Sequence, residues 1–457
     1  MKFTKMSLVA ALLIGSSAFA LDNIKMSGDA KVFYNTNDAS HGTPAGYRGV
    51  SSPLPKNDGS LFSKDNSAAD TALDLAVTAD LVKNSVVSIS AGASYTILST
   101  LGLENNLVSN VWGSAHGATA GTGASYANVA PYNGVKVENA KWMKEAWVAA
   151  TAGKTTLKLG RMELDTPLVF SEKWSIEENT FEAAVAINQD IPDTTLVGAY
   201  VGNGNGTETF GQDKTGTVSG LGLAVGPVVN AGGQFTTYGT DGAYAIGAIN
   251  NSFKPLTLQA WYYDLTRLAT AYWLQADLNM DGILAGAQYS AQDVKNGNSL
   301  SIANTDTASV YALMLGYEMK DVATVKVAYS SVDKKGVLTA ANTATGTGAS
   351  KLYTEAWWNY GYVTRHNTDS FNITAEGKLA SVDLGAYYTY AKTDKDAANG
   401  INDNKMSEFA LTAGKAFGPL DTTLAYVYTK ADDQNVKAGA TKGSAYNSIQ
   451  AYLTLNF

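Results

Sequence analysis

The chain has 457 residues, a formal charge of −8, no cysteine and three histidines. Its acidic balance, with no Lys/Arg run, disfavours nucleic acid as a partner, and the missing thiols exclude disulfides, thiol chemistry and thiolate metal sites. The length would suit two or three soluble domains, yet no Pro-rich or Gly/Ser-rich linker divides the sequence, and one long β array explains that continuity better.

Residues 1–20 carry Lys2 and Lys5, then an apolar run over 6–14, then Ala18-Phe19-Ala20. This is the pattern of a secretory signal peptide, and its removal would take the formal charge to about −10. The run is too short for a spanning helix, and no later stretch approaches the ~20 apolar residues that one needs. Residues 21–457 are therefore expected to form a single domain, and any membrane would be crossed by strands.

Residues 24–34 alternate strictly: Ile24, Met26, Gly28, Ala30 and Val32 share one face, while Lys25, Asp29, Lys31 and Phe33 share the other. A polar tract at 35–68 reads as a long loop, and alternation resumes at 73–80 and 87–95 about a short turn at Lys83-Asn84. A second long loop is expected over 96–140. Runs at 142–151 and 155–161 are joined tightly, and 181–188 turns quickly into 195–201. Between 161 and 181 lies a charged, non-alternating segment. The connection 202–241 is long and holds a Gly-rich stretch, 217–235, that would make an extra hairpin.

The remaining runs are 243–250, 256–265, 270–278, 283–290, 310–318, 324–331, 370–376, 382–391, 406–417, 422–429 and 448–457. Long polar loops are expected near 292–306, 332–367, 393–405 and 430–444. The last run places Leu453, Leu455 and Phe457 on one face. About ten-residue alternating segments, short turns taking turns with long loops, an export signal and a terminal aromatic strand together predict an all-β fold, a transmembrane antiparallel β-barrel of the outer membrane. A soluble β-sandwich also alternates, but its loop lengths would not be so asymmetric. The runs number eighteen, or twenty with the 217–235 hairpin, and both counts are even as single-chain bacterial barrels require.

The segment 152–188, AGKTTLKLGRMELDTPLVFSEKWSIEENTFEAAVAIN, resembles the equivalent region of the major outer-membrane porins of the campylobacter group, which are distantly similar to OprD-type porins. A strand ends in Gly160 plus a basic residue, a turn follows at Leu164–Pro167, and an aromatic, acidic segment precedes Thr180-Phe181-Glu182. The residues 1–15 and 232–289 are similar to that family too. The resemblance implies eighteen strands, a third extracellular loop folded into the lumen, and frequent assembly as a trimer.

The charged segment is the candidate site. Glu163, Asp165, Glu172, Glu177 and Glu178 face one cation, Lys173, and fixed charge at the narrowest point of a water-filled pore concentrates counter-ions. A cation-preferring pore is expected, with Arg161 and Lys158 supplying opposing positive charge. Leu168, Val169, Phe170 and Trp174 would pin the loop to the inner wall while the carboxylates face water. By parity Lys25, Asp29, Lys31, Asp74, Asp277, Glu318, Lys326, Glu376 and Asp383 fall on the lumen wall, because a Lys or Arg facing lipid at mid-depth costs about 2–4 kcal/mol.

Gly153-Lys154-Thr155 imitates the end of a phosphate loop, but Val148 stands where its first glycine belongs. His41, His116 and His366 are scattered over loops, so neither a metal site nor a catalytic base is expected, and no cofactor. The expected partners are outer-membrane lipid and lipopolysaccharide, small hydrophilic solutes and ions, and two further copies of the chain. A substrate-specific OprD-type channel for small carboxylates or amino acids is the alternative to a general porin; a barrel enzyme and an adhesin are more distant rivals.

Overall fold

The computed structural model describes residues 23–40, 59–103, 106–108, 110–111, 116–118, 137–207, 228–395, 403–437 and 439–457. The signal segment 1–20 and most of the 217–235 hairpin lie outside them. Among the described residues there are eighteen long strands. In chain order they are β1 (Lys25–Asn37), β2 (Ser67–Lys83), β3 (Ser88–Ser99), β4 (Ala140–Ala152), β5 (Thr155–Met162) and β6 (Phe181–Asn188). Then follow β7 (Thr194–Gly204), β8 (Ala243–Asn250), β9 (Leu256–Leu265), β10 (Ala269–Met280), β11 (Ile283–Val294) and β12 (Ala308–Met319). The last six are β13 (Ala323–Val332), β14 (Thr368–Leu379), β15 (Val382–Thr393), β16 (Asn404–Phe417), β17 (Leu420–Ala431) and β18 (Tyr446–Asn456).

Every neighbour pairs antiparallel, and β18 returns to β1 in the register Ala30↔Leu455 and Val32↔Leu453. The sheet is therefore a closed barrel. Closure leaves no edge, which is the condition for a sheet in hydrocarbon, where an unpaired backbone group has no water to bond. The seam ends on Phe457, whose backbone exchanges bonds of 2.8 and 2.9 Å with Gly28. Its ring lies where a side chain on Gly28 would stand: a Cβ there would come within 2.8 Å of it.

Period-two alternation sorts the wall into two faces. On β12, for example, Tyr311, Leu313, Leu315 and Tyr317 are exposed outside while Val310, Ala312 and Met314 are buried inside. The exposed apolar side chains form an outer belt, and toward the loop end each strand from β7 to β17 adds an exposed Tyr or Phe. That line runs from Tyr200 and Tyr244 through Tyr272 and Tyr311 to Phe371, Phe409 and Tyr426. Such amphipathic rings suit the membrane–water boundary.

Connections at one end of the barrel are tight. Asp281-Gly282, both at positive φ, join β10 to β11 as the two-residue hairpin that matches strand twist. At the other end they are long, with one exception: only residues 266–268 join β9 to β10. Two of the long connections turn inward. They are the third, residues 163–180 (hereafter L3), and the seventh, residues 333–367 (hereafter L7). Most of the buried apolar core lies where these loops meet the inner wall.

Candidate functional site: the lumen and its two inward loops

The first half of L3 is a miniature hairpin. Ser171 donates to the carbonyl of Leu164 at 2.8 Å, and Thr166 N–H to that of Val169 at 3.0 Å, with Pro167 at the turn position its fixed φ favours. The tip residues Leu168 and Val169 are buried in one cluster with Tyr263, Trp273 and Val310 of the wall. Phe170 is buried as well, and Trp174 packs edge-on against Trp358 of L7 with ring centres 5.5 Å apart.

L7 forms a second hairpin that docks on the first. The Asn342 side-chain amide behaves like a strand residue, accepting from Phe170 N–H at 3.1 Å and donating to its carbonyl at 2.9 Å. Thr343 N–H donates to the carbonyl of Leu168 at 2.9 Å. Glu172 is buried and takes four neutral donors: Asn342 (3.0 Å), Thr347 (2.7 Å), Trp174 Nε1 (2.6 Å) and Thr345. Farther along L7, the backbone N–H groups of Trp358 and Asn359 donate to the buried Glu408 of β16, both at 2.8 Å. Asp165 is bridged to Lys351 of L7 at 2.7 Å.

The second half of L3 is seated by charge instead. Lys31 of β1 and Lys144 of β4 converge on Asp74, at 2.9 and 3.2 Å, and both reach Glu178, Lys144 by a hydrogen bond. Lys144 also stands 3.6 Å from Glu177 and Lys31 3.4 Å from Asp29. A β-bulge puts Lys144 there. Ser94 of β3 pairs with Glu145 but Tyr95 pairs with Met143, so Lys144 is the extra residue and both it and Glu145 line the lumen. Strict alternation hides such residues, and sequence reasoning missed Lys144 and Glu145 of the lumen wall as it missed Lys351 of L7.

Burial pushes the Glu177 carboxyl up to about 8, against the pull of the two lysines, and one of its oxygens has no hydrogen-bond partner. Glu178 moves the opposite way: Lys144, Lys31 and Lys173 outweigh its burial and hold it well below the usual carboxylate range. Asp74, Glu177 and Glu178 are close enough to suit a metal ion, but the two ammonium groups already stand among them.

Two expectations need correction. Arg161 does not face the lumen. It shares the outer face of β5 with Leu157 and Leu159, bonds Glu182 of β6 at 2.9 Å and lies 4.1 Å over the Phe235 ring, because the strand continues regularly through Met162. Nor do the loop carboxylates simply face water. Glu172 and Glu177 are each only 2% exposed, since the loop is folded down onto partners rather than hung in the channel. Lys173, by contrast, is exposed and pairs with Glu163.

Beneath these loops a cavity of about 2460 Å³ runs to the turn end of the barrel, where Lys154, Pro192 and Asp321 line it. Lys25, Asp29, Lys31, Lys158, Asp277, Glu318, Lys326, Glu376 and Asp383 all contribute to its wall, whereas Asp74 lies buried behind. Lys158 rests 4.2 Å over the Trp147 ring. Among the described residues the lining holds fifteen carboxylates, nine lysines and no arginine.

No protein-family model and no curated protein sequence matches this chain. Solved structures do. The chain is similar in fold to OpdK of Pseudomonas aeruginosa, solved with vanillate, at a TM-score of 0.65 and 10% identity over 96% of this chain and 100% of that one. OccAB3 of Acinetobacter baumannii gives 0.65 and 14% over 95% and 99%. OccK2 (OpdF) of Pseudomonas aeruginosa, in complex with glucuronate, gives 0.63 and 11% over 96% and 99%. The fold is thus the eighteen-strand closed barrel seen in OprD-type channels.

Proposed function

We propose that the chain is an outer-membrane porin, a passive diffusion channel through which small hydrophilic solutes and ions pass with cations favoured, and that it works as a trimer. The observation that carries this reading is the lumen: a polar cavity inside a wall whose outer face is apolar, lined among the described residues by fifteen carboxylates against nine lysines. Net negative charge on a confined aqueous path raises the local concentration of cations. No chemical step is needed. The kinship with campylobacter-group porins read from residues 152–188 belongs to the same proposal.

Purified protein in a planar bilayer should give stepwise conductance, and a salt gradient should give a reversal potential of cation-selective sign. Absence of conductance defeats the channel reading; an anion-selective sign defeats only the charge argument.

A second reading is a substrate-specific channel for small carboxylates or amino acids. It is supported by the two similar structures whose ligands, vanillate and glucuronate, are carboxylates, and by lysines at 25, 31, 144, 154 and 158 on the side of the lumen formed by β1 to β5. Among the described residues the cations of the lining are lysines, which meet a carboxylate as point charges and not with the two parallel bonds of Arg, and this favours the general porin. A specific channel would show its ion current blocked by one low-concentration carboxylate; a general porin would not.

A further inference from the structure

L7 carries five aromatic rings within the ten residues 353–362. Trp358 and Tyr362 are buried and seat the loop, whereas Tyr353, Trp357 and Tyr360 line the cavity. Trp357 stacks on Tyr387 of β15 with ring centres 4.9 Å apart, and Tyr360 lies 5.7 Å from Trp174 of L3. Trp174, Trp357, Tyr387 and Tyr452 are half-buried at the margin of one apolar cluster, and each opens on the cavity. Tyr452 of β18 stands three strand spacings from Tyr387, about 14 Å along the wall. Between them Thr412 and Gly414 of β16 and Thr423 of β17 are small, so the wall forms a recess under L7.

The recess is acidic. Among the described residues that line the cavity, β14 to β17 contribute Glu376, Asp383 and Asp421 against one lysine, Lys378, which stands 3.4 Å from Asp383. The Tyr387 hydroxyl donates to Glu376 at 2.9 Å, which fixes a carboxylate beside the ring and polarises the ring toward its negative face. The neutral groups nearby are spent on each other. The Asn372 amide donates to Thr389 at 2.8 Å and to the Glu355 carbonyl at 3.3 Å, and it accepts from Thr374 at 2.9 Å. A sugar needs directed donors and acceptors, and here they are committed. What the recess offers a solute is aromatic surface and carboxylate charge.

We propose that this recess, bounded by Trp357, Tyr360, Tyr387 and Glu376, binds a methylated ammonium group, so that organic cations of the choline type are held in the lumen in preference to simple ions. The inference rests on the porin reading above and names a solute class for the same lumen. A quaternary ammonium carries charge but no N–H, so it needs no acceptor geometry and is drawn to the electron-rich faces of Trp and Tyr. This lumen already uses rings in that way: the Lys351 ammonium lies 4.4 Å over Phe170, and that of Lys158 lies 4.2 Å over Trp147. A ring left half-open to water forgoes burial energy, and L7 has Trp358 and Tyr362 to hold it in place.

The test uses the full chain, purified in an oligo-oxyethylene detergent that carries neither sugar nor ammonium. Choline is titrated in and its methyl protons are followed by saturation-transfer NMR. Choline should bind about ten-fold more tightly than its neutral isostere, the alcohol with a carbon in place of the nitrogen. Glucose should not compete. Trp357→Leu and Glu376→Gln should each weaken choline binding by about five-fold, with barrel folding checked by heat-dependent gel mobility. Glu376→Gln keeps the size of the side chain, so it reports the charge even where the indole variant loosens L7. No saturable binding of choline, equal affinity for the isostere, displacement by glucose, or unchanged binding in either variant would each overturn the inference.

In a planar bilayer, choline should reduce the potassium current of the parent at concentrations where the isostere does not. A protein that conducts but ignores choline defeats the inference and leaves the porin reading standing. A protein that binds choline in detergent but never conducts defeats the porin reading and leaves the site.

Discussion

L3 and L7 do the same structural work by opposite chemistry. The second half of L3 is held to the wall by ammonium–carboxylate contacts, Lys31 and Lys144 against Asp74, Glu177 and Glu178. L7 is held to L3 chiefly by threonine hydroxyls and one asparagine amide, with Glu172 as the shared acceptor, and by a single ion pair, Asp165 with Lys351. The difference matters energetically. A buried charge whose partner is removed is left uncompensated, whereas a neutral donor lost from a group of four leaves three behind.

That contrast orders the predictions. The largest effect is expected from Lys144→Met, which leaves the acidic cluster of Asp74, Glu177 and Glu178 with Lys31 as its one close ammonium partner. Stability should fall by about 3–5 kcal/mol, read from the temperature at which the folded barrel band disappears on gels, and reversal potentials should move further to the cation side. An unchanged transition would show that L3 is seated by its apolar tip alone.

Next comes Glu172→Ala, expected to cost about 1–3 kcal/mol through the donors it strands. Its clearer signature is in single-channel recordings: L7 loses its acceptor on L3, so conductance should rise or become noisy. Truncating Phe170 and Trp174 together should act in the same direction, because Trp174 is sandwiched near Trp358 and Tyr360. Recordings indistinguishable from the parent would mean that neither loop meets the permeation path.

A smaller, graded effect follows from pH. For Glu177, raised from an ordinary value of 4.5 to about 8, the folding contribution is complete below pH 4.5 and is gone once pH has risen past about 8. For Glu178, lowered by the lysines, the contribution is present above pH 4.5 and is lost as pH falls below it. Raising pH from 6 to 9 should therefore ionise Glu177 against Glu178 and Asp74, increasing cation preference and loosening the seat. The Glu177→Gln variant should abolish this dependence of the reversal potential; a parent with a flat profile would refute the assignment. Least of all is expected from Lys173→Ala, since its pair with Glu163 is exposed and worth about 0–1 kcal/mol, so only a slight shift in selectivity should be measurable.

Much of this architecture was legible because alternation is a physical consequence of the pleat. Each of the eighteen runs became a strand, and eighteen was preferred to twenty through the family resemblance. L3 stood out because charge without alternation is conspicuous. L7 did not: Thr343, Thr345, Thr347 and Asn342 have no period and no charge, and their partners on L3 lie some 170 residues earlier in the chain. Arg161 misled because its charge suggested the lumen while its parity with Leu157 and Leu159 put it outside. Lys144 was hidden for the converse reason, a bulge that shifts the alternation by one residue.

The seam between β1 and β18 has a consequence for how the barrel is made. Most wall joints bring together strands that follow one another directly, so each hairpin can form as a local event. The last joint brings β1 to β18, where Ser448 bonds Asn35 across 413 residues, and it is the joint of highest contact order in the wall and the slowest kind to find by diffusion. Until it forms, β1 and β18 are both open edges able to pair with any other strand. The seam is therefore the one wall joint that local hairpin formation does not supply, and whatever assists folding has to hold those two edges apart from other chains until they meet.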